Sequence, residues 1–331
     1  GIVSSVLMFK VLPGVFMVSA VAVVTVLLRR AAPERALAGA WLMAWNPIAL
    51  YETFGNGHND MAMGFWIILA AWMMYEKGYS RAVLFLLVGG LFKYISILLI
   101  PIAGVIALAR LPNARARLSY VTKTLLGALG LLVLFFAPFW EGPQTLTLDR
   151  RAQMFTTSLP SIIYQYTRLR VGDSLAAMWI SRAALLLTVL FVLWQAWRAF
   201  RLVYHSAEQD APAPDWVVFT RLSLYVLLFF LLVTCLWFQQ WYVVWLVGLA
   251  AILPLGLAQS LALWVIFTAG LEKPLIFGPL VFTKQPPDPL PILELHLSVG
   301  SLSLAWLGAL WAMWKGRKEV QSRSPKQAEL P

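Results

Sequence analysis

The sequence predicts an all-α protein, a polytopic transmembrane helical bundle. Three observations carry this prediction. The 331-residue chain is 60% hydrophobic and only 12% charged, about half the charged share of a soluble domain. Its mean hydropathy is +0.76. Its apolar runs recur at about 15–25 residues, the length a helix needs to cross a bilayer. These runs are continuous rather than alternating, which excludes a β-barrel.

Charge and cysteine content narrow the function classes. The net charge is +11, but the lysines and arginines sit in short clusters between apolar runs, as in cytoplasmic loops. The basic balance therefore does not imply a nucleic-acid partner. The single cysteine, Cys235, lies within an apolar run and excludes an intramolecular disulfide. The chain begins with glycine and has no signal-peptide pattern, so the expectation is that further spans lie upstream.

In order, the first span is expected over Ser5–Leu28, interrupted near its start by Lys10 and Pro13 and ending at Arg29 and Arg30. The second runs from Ala36 to Tyr51, with Pro47 kinking it from within. The third covers Met61–Tyr75. The stretch Ala82–Ala109 is too long for one span and contains Gly89-Gly90, Lys93 and Pro101. It reads as two half-helices meeting near Lys93–Ser96, which lets the chain cross and return. A basic cluster at Arg110, Arg115, Arg117 and Lys123 precedes a span over Leu125–Phe139. The polar stretch Trp140–Asp173 reads as an outer loop. Spans follow over Ser174–Trp197, Val217–Phe238, Trp241–Leu257 and Ala258–Gly270. A proline-rich loop over Glu272–Pro291 and a last span over Ile292–Trp314 complete about eleven membrane segments. Residues 1–314 read as one transmembrane domain and 315–331 as a cytoplasmic tail.

Against this apolar background, polar residues gather in a few places. Between Trp45 and Asp60 the chain carries Asn46, Glu52, Asn56, His58, Asn59 and Asp60. A charged side chain near mid-bilayer costs roughly 2.5–3.5 kcal/mol on insertion scales, so such a cluster marks a wet, functional surface. Gly55 and Gly57 permit tight turns and close approach to a ligand. Asn59 or Asp60 also fits the N-cap of the helix beginning at Met61. Asp60 suits acceptance of a hydroxyl proton, and His58 suits donation to a phosphate. Lys93 offers a cation at the tip of the broken helix. Asp149, Arg150, Arg151 and Gln153 form a third patch, with arginines of the kind that grip phosphate oxygens. Gln239, Gln240, Trp241 and Tyr242 form a fourth, whose rings and amides can equally serve an interfacial belt or hold sugars. The alternation of spans carries all four patches to one, outer face. No metal is expected, because His58 and Asp60 supply only two ligands and the other histidines are remote.

At these residues the chain resembles the integral-membrane glycosyltransferases of the C superfamily, within them the bacterial polyprenyl-phosphate-mannose-dependent α-mannosyltransferases. The matching pieces are Asn46-Pro47, Glu52 and Gly57-His58-Asn59-Asp60. A further piece is the short Gly-rich helix carrying Lys93 ahead of Pro101. The run Gln239-Gln240-Trp241-Tyr242-Val243-Val244-Trp245-Leu246 is similar to a Q-P-W-Y-x-x-W-L pattern, with Gln240 in the place of proline. The resemblance implies a hexosyltransferase, most simply a mannosyltransferase, in a bacterial cytoplasmic membrane. It would move its sugar with inversion from a polyprenyl-phosphate donor to a lipid- or glycan-linked acceptor on the extracytoplasmic side. In such enzymes a catalytic aspartate lies in the first outer loop. Either that loop lies upstream of Gly1, or Asp60 takes the role with His58 and Glu52. Lys93, Arg150 and Arg151 would meet the donor phosphate. Asn56, Asn59, Gln153, Tyr164, Gln239, Gln240, Trp241 and Tyr242 would hold sugar or acceptor. No cofactor is implied. The alternative is a multi-pass transporter or lipid flippase, which also uses broken helices and intramembrane charge, although no internal repeat is visible.

Overall fold

A computed structural model describes residues 1–142, 145, 154–204, 213–272, 308 and 311. The described residues form twelve α-helices: α1 (Ile2–Ala31), α2 (Ala36–Ala44), α3 (Pro47–Leu50), α4 (Asp60–Tyr75), α5 (Tyr79–Phe92), α6 (Ile100–Arg110), α7 (Ala114–Phe136), α8 (Leu159–Val171), α9 (Asp173–Tyr204), α10 (Asp215–Phe229), α11 (Val244–Ile252) and α12 (Leu257–Glu272). Four helical stretches are long and apolar enough to cross a membrane: Ile2–Ala31, Ala114–Phe139, Asp173–Tyr204 and Asp215–Thr234. Five shorter apolar helices accompany them: Asp60–Tyr75, Tyr79–Phe92, Tyr94–Arg110, Gln240–Ile252 and Leu257–Leu271. The chain is thus an all-helical membrane protein by the length and composition of its helices. The expected last span, Ile292–Trp314, and the tail from 315 lie outside the described residues, apart from Gly308 and Trp311.

Several expected boundaries are corrected. Lys10 and Pro13 do not interrupt the first span, because α1 is continuous with Pro13 inside it. The ring removes one backbone bond, but α1 buries Met17, Ala20, Val24, Leu27 and Leu28 along one stripe, and that packing outweighs the loss. The second span is not one kinked helix. It breaks at Trp45, and Pro47 opens α3 at its first turn, where its missing N–H costs nothing. The helix expected from Leu125 starts earlier, at Ala114, and takes Arg115, Arg117 and Lys123 into α7. The expected outer loop Trp140–Asp173 contains α8. Its start is fixed by a Ser158–Ser161 capping box, with Pro160 in the first turn. The helix ending near Trp197 runs on to Tyr204 as α9.

The broken helix matches its expectation. α5 ends at Phe92, Lys93 is extended, a 3₁₀ turn covers Tyr94–Leu99 and α6 follows. The turn folds tightly onto α5. Ser96 donates from Oγ to the Leu86 carbonyl at 2.7 Å. A Cβ on Gly89 would stand 3.0 Å from Ser96 Oγ and 3.2 Å from Trp66 Cβ, so any larger residue would push the turn and Trp66 apart.

The core centres on α4, which packs against α1, α5, α10 and α11. All nine residues of α11 are buried. By contrast, α7 buries none of its residues and packs mainly on α5. A helix this apolar and this exposed suits lipid contact.

Polar ties close one end of the bundle. Arg110 Nε donates to Asp215 Oδ1 at 2.8 Å, and the Tyr79 hydroxyl donates to Asp215 Oδ2 at 2.9 Å. Arg30 pairs with Glu76 at 2.9 Å. This end joins the start of α5 and α10 to the close of α1, α4 and α6. Because α4 runs 16 residues from Asp60 to Tyr75, the opposite end lies about 24 Å away.

Candidate functional site

The site end is built by a run of short, irregular turns. Asn46 caps α3 by accepting from the Ala49 amide at 3.0 Å. The next five residues, Tyr51–Gly55, form a π turn, closed by the Asn56 amide on the Tyr51 carbonyl at 2.9 Å. Such a turn holds one residue more than an α turn and is frequent at functional sites. Here it carries Glu52 inward until the residue is only 1% exposed. Gly57 then turns the chain with φ of +74°. The His58 amide returns to the Glu52 carbonyl at 2.9 Å. Lys10, from α1, clamps the same loop by donating to the Gly55 carbonyl at 2.6 Å.

Glu52 is the hub of the first half of the site. Asn56 Nδ2 donates to its Oε2 at 2.6 Å, Gln240 Nε2 approaches its Oε1 at 3.5 Å, and His58 Nε2 lies 3.5 Å from Oε2. The His58 ring stacks on Trp241, with centroids 4.1 Å apart and planes 14° from parallel. A buried carboxylate and an indole thus orient a half-exposed imidazole.

Asp60 is the hub of the second half, and is also 1% exposed. Its Oδ1 accepts from Lys93 Nζ at 2.6 Å and from Trp245 Nε1 at 2.6 Å. Its Oδ2 has no hydrogen-bond partner among the described residues. Lys93 Nζ also lies over the Tyr242 ring at 4.5 Å and the Trp245 ring at 5.5 Å. Those two rings stack on each other at 4.5 Å. Cation–π contacts of this kind strengthen when water is excluded.

Residues 156–158, within the polar stretch Trp140–Asp173, are stitched to the hinge before Gln239. Thr156 bridges Trp237, accepting from the Phe238 amide and donating to the Leu236 carbonyl. Ser158 Oγ donates to the Leu236 carbonyl at 2.8 Å, and Thr157 Oγ1 donates to the Phe238 carbonyl. These bonds hold the extended stretch that leads into the 3₁₀ turn Gln240–Val243 and α11.

Of the residues singled out in the sequence, Glu52, Asn56, His58, Asp60, Lys93, Gln240, Trp241 and Tyr242 come together. Gln239 begins the 3₁₀ turn, its carbonyl accepting from the Tyr242 amide at 2.9 Å. Asn59 occupies the N-cap position of α4 as expected, but its exposed side chain makes no capping bond. Tyr164 is directed elsewhere: it stacks on Phe155 at 4.2 Å and its hydroxyl meets Asp173 at 3.2 Å. Arg150, Arg151 and Gln153 lie outside the described residues. Two residues were missed. Trp245 sits in the quoted Q-Q-W-Y-V-V-W-L run, one turn beyond Trp241, and that spacing was its only signal. Lys10 carried the signal of a lone charge in an apolar helix.

Among the described residues, no three His, Cys, Asp or Glu side chains stand close enough to hold a metal ion. Fold and site together define a helical membrane protein, by the length and composition of its described helices, in which buried Glu52 meets His58 and buried Asp60 pairs with Lys93 at one end. No protein-family model and no curated protein matches the chain.

Proposed function

We propose that the protein is a membrane glycosyltransferase that moves a hexose, most simply mannose, from a polyprenyl-phosphate donor to a hydroxyl of a lipid- or glycan-linked acceptor at the outer face of the membrane. One observation carries the reading. Two buried carboxylates, Glu52 and Asp60, stand beside His58 and Lys93 under the rings of Trp241, Tyr242 and Trp245. An ion pair kept only for packing has no need of a half-exposed histidine or an aromatic shelf beside it.

The chemistry assigned to these groups is a direct displacement. The acceptor hydroxyl oxygen bonds to the anomeric carbon as the bond from that carbon to the phosphate oxygen breaks. The electron pair leaves with the polyprenyl phosphate, and the hydroxyl proton passes to Asp60. An ammonium has three N–H donors. Lys93 spends one on Asp60, so a phosphate oxygen can take another and have its developing charge stabilised. His58, oriented by Glu52, donates to the same leaving group. Attack from the face opposite the leaving phosphate inverts the anomeric centre.

The test is transfer of labelled mannose from polyprenyl-phosphate-mannose by membranes holding the full-length protein. The wild type is expected to transfer, and Asp60→Asn and Lys93→Ala to lose transfer while their protein levels stay normal. Absence of transfer by the wild type, with substrate uptake into sealed vesicles, would replace this reading with a transporter.

A further inference from the structure

Asp60 is held asymmetrically, and the asymmetry has one author besides Lys93. Trp245 reaches the carboxylate from α11, 185 residues away in the chain, and donates its indole N–H to Oδ1. Lys93 donates to that same oxygen. A carboxylate offers about four lone-pair positions over its two oxygens. Here both donors crowd one oxygen and leave Oδ2 without a partner among the described residues, in a residue almost wholly buried. An unpaired buried acceptor is costly, and a hydroxyl hydrogen would relieve it.

We infer that Trp245 is a positioning residue: its N–H, with Lys93, locks Oδ1 and turns Oδ2 into the oxygen that receives the acceptor's hydroxyl proton. The inference rests on the transferase reading and names the atom within it. The same indole carries a second, separable duty. Its ring face lies under Lys93 and stacks on Tyr242. Phenylalanine at 245 would keep the face and delete the donor, so one substitution divides the two duties. Loss of a hydrogen bond to a charged group corresponds to about 10- to 100-fold in rate.

The experiment is steady-state transfer by wild type and Trp245→Phe, together with rescue of Trp245→Gly by added small aromatics. Trp245→Phe is expected to lower kcat about 10- to 100-fold with KM for donor and acceptor nearly unchanged. Indole is expected to restore Trp245→Gly. Benzothiophene, which has the same shape but no N–H, is not. Wild-type kcat in Trp245→Phe would overturn the assignment, as would equal rescue by the two compounds, since either result assigns Trp245 to packing alone. If Trp245→Gly does not fold, Trp245→Phe decides the matter by itself. Lack of transfer by the wild type is a distinguishable result: it removes the transferase reading and, with it, the role given to Oδ2.

Discussion

Replacing Lys93 with methionine keeps most of the side chain's length and removes its charge. Asp60 would then be buried with Trp245 as the one remaining donor to Oδ1. Removing one member of a buried ion pair costs 3–5 kcal/mol when both are enclosed. Lys93 keeps 21% of its side-chain surface exposed, against 2% for Asp60, so the lower end applies, about 3 kcal/mol. At 1.36 kcal/mol per decade that is roughly a 160-fold shift in the folding equilibrium. The second arm removes the stranded charge as well. Lys93→Met with Asp60→Asn should recover at least half of the loss, because a neutral amide is far cheaper to bury than an unpaired carboxylate. Reversible unfolding in mixed micelles, followed by helicity, measures both. A loss below about 1 kcal/mol for Lys93→Met, or a double variant no more stable than the single, would refute the argument that Asp60 depends on Lys93.

Three further outcomes are expected. His58→Ala removes the imidazole facing Glu52 and should lower transfer about 10²- to 10⁴-fold, while losing the stack on Trp241 costs at most about 1 kcal/mol of stability; unchanged transfer would take His58 out of the reaction. Gly89→Val should destabilise by about 2 kcal/mol, because Trp66 Cβ and Ser96 leave no room for the side chain. Alanine is the weaker test there, since its helix propensity offsets about 1 kcal/mol. Asp215→Asn breaks the pair with Arg110, whose side chain is 31% exposed, so the loss should be about 1 kcal/mol. Transfer should persist in that variant, since the pair lies at the other end of the bundle, and lost transfer at normal stability would contradict that separation.

The parts of this fold that were legible in the sequence are those where local chemistry and packing agree. Met61–Tyr75 is a clean apolar run behind a polar cluster, and the helix begins one residue before it. Gly89-Gly90, Lys93 and Pro101 crowd into one stretch, and the helix breaks between them. Misjudged boundaries arose where distant contacts decide the outcome. Pro13 is a breaker by its own chemistry, yet the packed stripe of α1 carries the helix past it. Within the polar stretch after Trp140, charge concealed α8, although Ser158, Pro160 and Ser161 spell its start. The candidate site followed the same division. Glu52, His58 and Asp60 are adjacent in the chain and stood out from their apolar surroundings. Trp245 did not, because an indole in an apolar helix has no local mark of the carboxylate it meets.

The loop that carries His58 is shaped from outside itself. Gly57 occupies the left-handed region, and a Cβ there would lie 3.3 Å from Lys10 Cγ, while the same lysine's ammonium grips Gly55. Positions 10 and 57 are therefore coupled through direct contact. A bulkier residue at 57 would demand both a strained backbone and a shift of the Lys10 side chain, which would disturb the clamp. Drift at one should be answered by drift at the other, and a lineage that loses the lysine should rebuild the whole turn around its histidine.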